Sequence, residues 1–357
     1  MKTFMTSNKW SLVGLAGLLS LGLTACDKSS GDVSILAAEQ NFKVSLSMQP
    51  RPVDILWVID NSGSMSSSQT NLANNFNSFI QDFVTLKYDF HMSTTTTDTW
   101  FEIYNNNSLY NSRWRTGNRT GSNPTNSGVY VMNPNTSSLD SVFTTNALVG
   151  INGNGDERAF SSFKESLSNP ANADFRRSNA FLAMIIISDE DDFSRTDATF
   201  SESYTDPKLI PTSSFVSWLD TFTGSNSTNR HDNYQVNAIY IKDSACLNQL
   251  QNSTQKIAQR YGEIADATGG VKASICDPFN DVLNSIKNKI LVASAVFKLD
   301  REPQPGSIVV KVNGTVLPES ATTWSYDSAA NSVRFAQESI PAADDNIQIA
   351  YDPKTLL

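Results

Sequence analysis

The chain contains 357 residues and has a formal net charge of −9; 18% of its residues are charged and 39% are hydrophobic. This balance fits a globular protein with long polar loops, divided into one large and one small domain, and it excludes a predominantly disordered chain. The negative charge argues against nucleic acid as a partner.

The first residues have the pattern of a bacterial export signal. Two lysines flank the start, residues 11–25 form a Leu- and Gly-rich core, and Leu23-Thr24-Ala25-Cys26 resembles a lipobox. The core is shorter than the roughly 20 apolar residues that span a bilayer. We predict a signal peptide at residues 1–25, lipid attachment at Cys26 and a tether over residues 26–48, which would anchor the protein to a membrane of the bacterial cell envelope. An ordinary signal peptide or an uncleaved anchor is the alternative.

An apolar segment at residues 53–59 ends abruptly at Asp60, and Ser62 and Ser64 follow at alternate positions. Near-continuous apolar residues are typical of a central parallel strand that is buried on both faces. One carboxylate and two hydroxyls would then meet beyond the carboxyl end of this strand, and hard oxygen ligands of this kind suit Mg²⁺. A turn with a helix N-cap is the simpler alternative, because Asp, Asn and Ser all favour such positions.

A second apolar segment, Phe181–Ser188, leads into four acids that begin with Asp189. With the helix between the two segments, this arrangement resembles the von Willebrand factor A domain and its metal-ion-dependent adhesion site. In that family Asp-x-Ser-x-Ser follows the first strand and an Asp follows the fourth. The resemblance implies an α/β fold over residues 49–294, with a doubly wound, mostly parallel sheet and helices on both faces. It also implies that Mg²⁺, with Mn²⁺ or Ca²⁺ as alternatives, is bound by Asp60, Ser62, Ser64 and Asp189.

The segment between these strands predicts further elements of the same sheet. Apolar residues at helical spacing after the site loop predict a helix, residues 88–95 a second strand and residues 129–132 a short third strand. A polar insertion with several aromatic residues, at 98–128, follows the second strand and would overhang the site. Such a loop suits recognition of a partner; the alternative is a solvated insertion whose aromatic rings pack on one another.

The loop at residues 150–158 corresponds to the second metal loop of the family. Adhesive members carry a Thr there, whereas this chain offers Asp156 and Glu157. Three acids around a divalent ion would leave about one negative charge, which makes the site less attractive to a carboxylate of a partner. Glu157 is therefore a candidate additional ligand. Alternatively it caps the following helix, a role worth under ~1 kcal/mol at the surface.

Two cysteines, Cys246 and Cys276, remain once Cys26 is assigned to the lipid. In an exported protein such a pair is most simply a structural disulfide, worth on the order of 3–4 kcal/mol for a loop of this length. A metal role lacks support, because neither cysteine has a His or another Cys nearby at ligand spacing.

From about residue 296 the apolar pattern changes to period two. Segments 307–312 and 347–351 alternate in this way, and Asn313-Gly314 is a strong signal for a hairpin turn. We predict a small antiparallel β-sandwich over residues 295–357. Because it is near the lower size for independent folding, we expect it to pack against the larger domain.

Two functions fit these features. The first is a lipid-anchored binding module in which Mg²⁺ accepts an oxygen, expected to be a carboxylate of a partner protein, in protein binding or adhesion at the cell envelope. The second is a structural component of an envelope complex whose metal site is closed by its own acids. We do not expect an enzyme: neither histidine, His91 or His231, lies in a recognisable nucleophile arrangement, and no nucleophile elbow or phosphate loop occurs.

Overall fold

The computed structural model describes residues 44–104, 111–120, 123–250 and 255–355. The predicted signal peptide, the lipidation site at Cys26 and most of the tether lie outside these residues. The chain from residue 43 onward forms one compact unit. Within the described ranges, no helix is long and apolar enough to cross a membrane.

The strands and helices of the described residues are numbered in chain order. The strands are β1 Val44–Met48, β2 Val53–Ile59, β3 Phe90–Thr96, β4 Phe181–Ile187, β5 Tyr234–Tyr240, β6 Lys272–Ser274, β7 Val296–Lys298, β8 Val309–Val312, β9 Thr315–Leu317, β10 Trp324–Asp327, β11 Ser332–Phe335 and β12 Ile347–Tyr351. The α-helices are α1 Ser66–Thr85, α2 Leu139–Ala147, α3 Ala159–Ser168, α4 Thr212–Thr223, α5 Arg230–Asn233, α6 Ser244–Leu250, α7 Arg260–Thr268 and α8 Phe279–Ser294.

A five-stranded parallel sheet with the order β3-β2-β4-β5-β6 forms the centre of the protein. Every residue of β2, β4 and β5 is buried, which explains the near-continuous apolar sequences of β2 and β4. The strand order reverses between β2 and β4, which lie side by side with Ile59 opposite Ile187. The loops that follow two such strands diverge and leave a crevice at the carboxyl edge of the sheet.

Helices cover both faces of this sheet, because alternate residues of each strand point to opposite sides. Trp57 packs in one cluster with Phe79 of α1 and Phe143 of α2. Val58 belongs to the other cluster, together with Phe163 of α3 and further side chains from α4 and α7. The protein is therefore a mixed α/β structure with a parallel sheet, as the sequence predicts at this coarse level.

Two separate antiparallel sheets, with the orders β1-β12-β8-β9 and β10-β11-β7, contain the strands that follow α8 together with β1. Apolar side chains of both sheets share one core, including Val310 and Ile349 from the first and Trp324 and Val333 from the second. One prediction needs correction: Val44–Met48, which we assigned to the tether, forms β1 and pairs along its whole length with β12. In β1 half-buried residues alternate with exposed ones, as expected for an edge strand of an antiparallel sheet with one face toward solvent.

The predicted third strand at residues 129–132 is absent from the described structure. Met132 forms only an isolated bridge with Met92 of the outer strand β3. Side chains satisfy the neighbouring carbonyls instead: Ser93 donates to Tyr130 at 2.9 Å and Asn146 donates to Val129 at 2.9 Å. The segment therefore packs against the sheet edge without extending the sheet.

The antiparallel sheets contact the parallel sheet at the edge opposite the crevice. Arg334 of β11 forms an ion pair of 2.8 Å with Asp232, which lies just before β5, and Lys87 pairs with Asp344. The backbone nitrogen of Arg51 donates to the carbonyl of Ser294 at the end of α8. The carboxyl edge of the sheet is thus free of these two small sheets.

Candidate functional site

Two loops at the point of strand reversal bring the predicted metal ligands together. The hydroxyl of Ser64 donates to Oδ1 of Asp189 at 3.0 Å, and the hydroxyls of Ser62 and Ser64 lie 3.3 Å apart. Asp60 begins the same loop as the serines, and its carboxyl group is fully buried. Residues from two distant parts of the sequence therefore form one oxygen-rich cluster.

Asp60 is held in place by neighbours that the sequence analysis did not identify. Its carboxylate accepts hydrogen bonds from the backbone nitrogen of Ser62 at 2.7 Å and from the hydroxyl of Ser188 at 2.6 Å. The side-chain amide of Gln69 donates to the carbonyls of Asp60 and Gly150. Burial, with a smaller contribution from Asp189, raises the pKa of Asp60 to about 7. The protein surroundings thus favour the neutral form of this carboxyl group.

The loop that carries Glu157 lies directly against the first site loop. The backbone nitrogen of Gly153 donates to the carbonyl of Asn61 at 2.9 Å. A Cβ atom at position 153 would lie 2.4 Å from the Asn61 side chain, so glycine is required for this close approach. The structure therefore brings a third loop to the cluster of Asp60 and Asp189.

Glu157 is 2% exposed, and neither of its carboxylate oxygens has a hydrogen-bond partner in the described structure. The hydroxyl of Thr97 lies nearby, but no hydrogen bond of ordinary geometry joins the two groups. Burial, followed by the nearby Asp60 carboxylate, raises the pKa of Glu157 well above its usual value. An orphaned buried carboxylate is costly, and its oxygens are available to a bound cation.

Helix capping does not explain Glu157. Helix α3 begins at Ala159, and its first free backbone nitrogens are satisfied from another loop. Asp192 accepts from the nitrogen of Phe160 at 2.9 Å, and Ser194 accepts from that of Ser161 at 2.9 Å. The alternative interpretation of Glu157 as the helix cap is therefore wrong.

The four acids after β4 have different roles. Asp192 forms a buried ion pair of 3.0 Å with Arg260, and Asp191 accepts from the hydroxyl of Tyr204 at 2.8 Å and from the nitrogen of Gln259 at 2.7 Å. These two acids join the loop to the start of α7 and are structural. Glu190 is half-exposed, and burial together with Asp60 and Asp189 raises its pKa to about 8.

Five other buried acids of the described structure are each paired with arginine, whereas the buried Asp191 is satisfied by neutral donors instead. The pairs are Asp54 with Arg176 and Arg177, Asp98 with Arg115, Asp156 with Arg158, Asp192 with Arg260, and Asp220 with Arg230. The site carboxyls differ: in the described chain no Lys or Arg forms an ion pair with Asp60, Glu157, Asp189 or Glu190. These four carboxyls therefore differ from the five Asp–Arg pairs in having no cationic side chain of the described residues to compensate their charge.

The described parts of the insertion at 98–128 contribute more to the core than to an open surface. Trp100 and Trp114 are each 1% exposed, and Trp114 packs against Phe175 with ring centroids 5.1 Å apart. Asp98 accepts from Asn61 at 3.0 Å and pairs with Arg115 at 3.3 Å. The insertion thus supports the site loop from one side.

Cys246 and Cys276 form the disulfide that the sequence predicts, with Cα atoms 5.6 Å apart. It joins α6 to the segment just before α8. This bond lies outside the cluster of carboxylates and has a structural role.

The described residues contain no group of three or more His, Cys, Asp or Glu side chains placed to hold a metal ion. The three predicted acid ligands Asp60, Glu157 and Asp189 are therefore not placed as one metal-binding group, although they lie in adjoining loops. The direct contacts among the predicted ligands are those of Ser62 with Ser64 and of Ser64 with Asp189.

Comparisons with known proteins do not assign a family. No family model and no curated protein matches the chain. The pilus adhesin SpaC from Lactobacillus rhamnosus GG, in its open conformation, shares 14% identity over 87% of this chain and 40% of its own, with a TM-score of 0.40. Proximal thread matrix protein 1 from the mussel byssus shares 10% identity over 72% of this chain and 52% of its own, with a TM-score of 0.38. The chain spans only 40% and 52% of these two proteins, and likenesses this low assign neither its fold family nor its function.

Proposed function

We propose that this protein is a binding module of the bacterial cell envelope that contacts a partner protein through a divalent cation, with Mg²⁺ as the first candidate. One observation carries the proposal. The carboxyl groups of Asp60, Glu157, Asp189 and Glu190 lie near enough at the strand reversal to affect one another electrostatically, and no cationic side chain of the described structure forms an ion pair with them, whereas five other buried acids pair with arginine.

The residues that would hold the ion are Asp60, Ser62, Ser64, Asp189 and Glu157. Carboxylate and hydroxyl oxygens are hard ligands of the kind that Mg²⁺ and Mn²⁺ prefer, and a larger oxygen shell would suit Ca²⁺. A bound ion supplies a positive charge to which an oxygen of a partner can attach. Ser188, Gln69 and Gln255 orient the ligands, since each donates to an oxygen of Asp60 or Asp189.

Membrane attachment through Cys26 completes the proposal. The lipobox-like sequence supports it, and those residues lie outside the described structure. The proposed membership of the von Willebrand factor A family is supported by the parallel sheet, by its reversal of strand order and by the convergence of Asp60 with Asp189.

A structural role with a closed site is the second candidate, and the burial of the ligands favours it. Asp60, Glu157 and Asp189 are 0%, 2% and 2% exposed. Gln255, which lies between α6 and α7, donates to Asp189. In that case the ion would stabilise the loops without contacting a partner.

Affinity capture from native envelope extract distinguishes the two candidates. Wild-type protein should retain a partner in Mg²⁺ and release it in EDTA, and Asp60→Ala should retain none under either condition. Glu338→Ala, which removes an exposed acid from the antiparallel part, is the matched control and should behave as wild type. Capture that is equal in Mg²⁺ and EDTA would contradict the binding proposal and favour the closed site.

A further inference from the structure

A cavity of about 410 Å³ lies where the antiparallel sheets meet the amino edge of the parallel sheet. Three parts of the chain line it: the end of β1 with the link to β2, the region of α5 just before β5, and strand β7 with the start of β11. The carboxylate cluster is elsewhere, because it follows the carboxyl ends of β2 and β4, whereas Arg51 and Asp232 of the cavity precede β2 and β5. Sites for small molecules have volumes of about 300–1,000 Å³, so this cavity is large enough for one.

Two polar side chains of the small sheet face the cavity together. Lys298 of β7 lies directly opposite Ser332 of β11, and both line the cavity. The paired residues next to them, Phe297 and Val333, belong to the core on the other face of that sheet. Ser332 is 1% exposed, and its hydroxyl has no hydrogen-bond partner in the described structure. Buried hydroxyls normally have a partner, so this one is available to a ligand.

Cationic side chains outnumber the carboxylates at the cavity. In the described part of the chain, neither Arg51 nor Lys298 forms an ion pair with an acid, and Arg51 donates to backbone carbonyls and one amide oxygen. Asp232 is the acid among the lining residues, and its carboxylate is already paired with Arg334 at 2.8 Å. The cavity therefore favours a ligand that carries a negative charge.

Uncharged groups provide the rest of the lining. The side-chain amides of Gln49 and Asn229 donate no hydrogen bond within the described structure, so they can donate to a ligand. Met48 and Val296 are half-buried and offer apolar contact. A carbon ring that carries hydroxyl groups would use both kinds of surface, whereas a bare inorganic anion would leave most of the cavity unfilled.

We infer that this cavity binds a hydroxylated carboxylic acid of the size of an acidic monosaccharide, with its carboxylate near Lys298 and its hydroxyl groups near Ser332 and Asn229. This inference goes beyond the proposed function and does not depend on it, because the cavity contains none of the predicted metal ligands. A hydrogen bond between an ammonium group and a carboxylate is stronger than one between neutral groups. Lys298 should therefore provide most of the preference for a sugar acid over a neutral sugar.

Saturation-transfer NMR with galacturonate, titrated over millimolar concentrations in EDTA, tests this inference with a defined probe. The wild-type protein should bind galacturonate at least about tenfold more tightly than galactose, which has a hydroxymethyl group in place of the carboxylate. Lys298→Gln should weaken the binding of galacturonate by about tenfold, and Ser332→Ala should weaken it by about fivefold. Ser332→Ala should be as stable as wild type in urea unfolding, since its hydroxyl has no partner to lose.

Lys242→Gln is the matched control. Lys242 is an exposed lysine without an ion pair in the described chain, and it follows β5 at the other edge of the parallel sheet. This variant should bind galacturonate as wild type does. Four results would overturn the inference: no transfer to galacturonate, equal affinity for galactose, equal affinity of Lys298→Gln and wild type, or complete displacement by equimolar sulfate. The last result would identify a site for a small inorganic anion.

Discussion

The hydroxyl of Ser64 donates a hydrogen bond of 3.0 Å to Asp189, a residue 125 positions further along the chain. This contact joins the loops after β2 and β4, the two strands between which the sheet reverses its order. Two of the predicted ligands, a serine and an aspartate, are therefore in direct contact, and Asp60 lies in the same loop as the serine. The sheet topology brings these residues together from distant parts of the sequence.

Metal binding should depend on Asp60. Mg²⁺ at one hundred times its dissociation constant should stabilise the wild-type protein by about 2.7 kcal/mol, and Asp60→Ala should abolish this gain while remaining folded. Thermal unfolding with and without Mg²⁺ measures the effect. Glu338→Ala should keep the full gain. A wild-type protein that shows no divalent binding at millimolar metal would contradict the site.

The stability of the metal-free protein should fall as the pH rises. The pKa of Asp60 is raised to about 7 and that of Glu190 to about 8, so each carboxyl stays protonated in the folded protein where it is ionised in the unfolded chain. Unfolding then releases protons, and the free energy of unfolding decreases with rising pH from about 4 up to about 8. Urea unfolding in EDTA at several pH values measures this slope.

Saturating Mg²⁺ should reverse that dependence, because the ion binds the ionised carboxylates and protons compete with it at low pH. Asp60→Asn in EDTA should show a shallower slope than wild type, since one of the titrating groups is gone. A free energy of unfolding in EDTA that increases between pH 5 and pH 8 would contradict the prediction. It would show that these carboxyl groups are ionised in the folded protein and that groups other than bound protons balance their charge.

Much of this site can be predicted from the sequence, because buried strands are recognisable as short apolar segments and their ends as an abrupt change to polar residues. The apolar segments before Asp60 and Asp189 predict buried parallel strands, and parallel strands place their following residues at one edge. The Asp191 and Asp192 interactions were not predictable. Their partners at Tyr204 and Arg260 come from elements whose approach depends on the packing of α7 against the sheet.

Two errors have the same origin in long-range contacts. Val44–Met48 reads as a polar tether, yet it pairs with β12, about 300 positions away in sequence. Residues 129–132 have the composition of a strand, yet side chains satisfy the carbonyls of Val129 and Tyr130 and only the bridge between Met132 and Met92 forms. The hydrophobic pattern of a short segment does not show whether a distant segment of the chain will pair with it.

Lipid attachment should require Cys26. Cys26→Ser should abolish incorporation of a labelled fatty acid and release the protein from its membrane fraction, because one thiol provides the proposed attachment point. Metabolic labelling followed by fractionation tests this. Cys246→Ser, which removes a cysteine of the disulfide, should retain the label. Label that persists in Cys26→Ser would end the lipoprotein hypothesis.

The disulfide should contribute substantially to stability. It closes a loop with a sequence separation of 30 residues, which corresponds to about 3–4 kcal/mol in the chain-entropy description. The double variant Cys246→Ser with Cys276→Ser should lose about this amount in urea unfolding while keeping its Mg²⁺ affinity, since the bond lies outside the site. Peptide mapping without reductant should show the crosslink, and two free thiols in freshly isolated protein would refute it.

Glu157 provides the most specific test of the site, because burial and metal binding affect its energy in opposite directions. In EDTA, Glu157→Gln should stabilise the protein by about 1 kcal/mol or more, since it removes a buried carboxylate whose oxygens have no hydrogen-bond partner. In Mg²⁺ the affinity of the same variant for the ion should fall by about tenfold, as expected when one charged ligand is replaced by a neutral one.

Glu157→Thr should show the same two changes and should also bind an acidic peptide better than wild type does, because the surface becomes less negative. Glu338→Gln, at an exposed acid of the antiparallel part, is the control and should change neither quantity. Stability in EDTA and affinity in Mg²⁺ that are both unchanged in Glu157→Gln would remove Glu157 from the ligand set and leave Asp60, Ser62, Ser64 and Asp189 as the site.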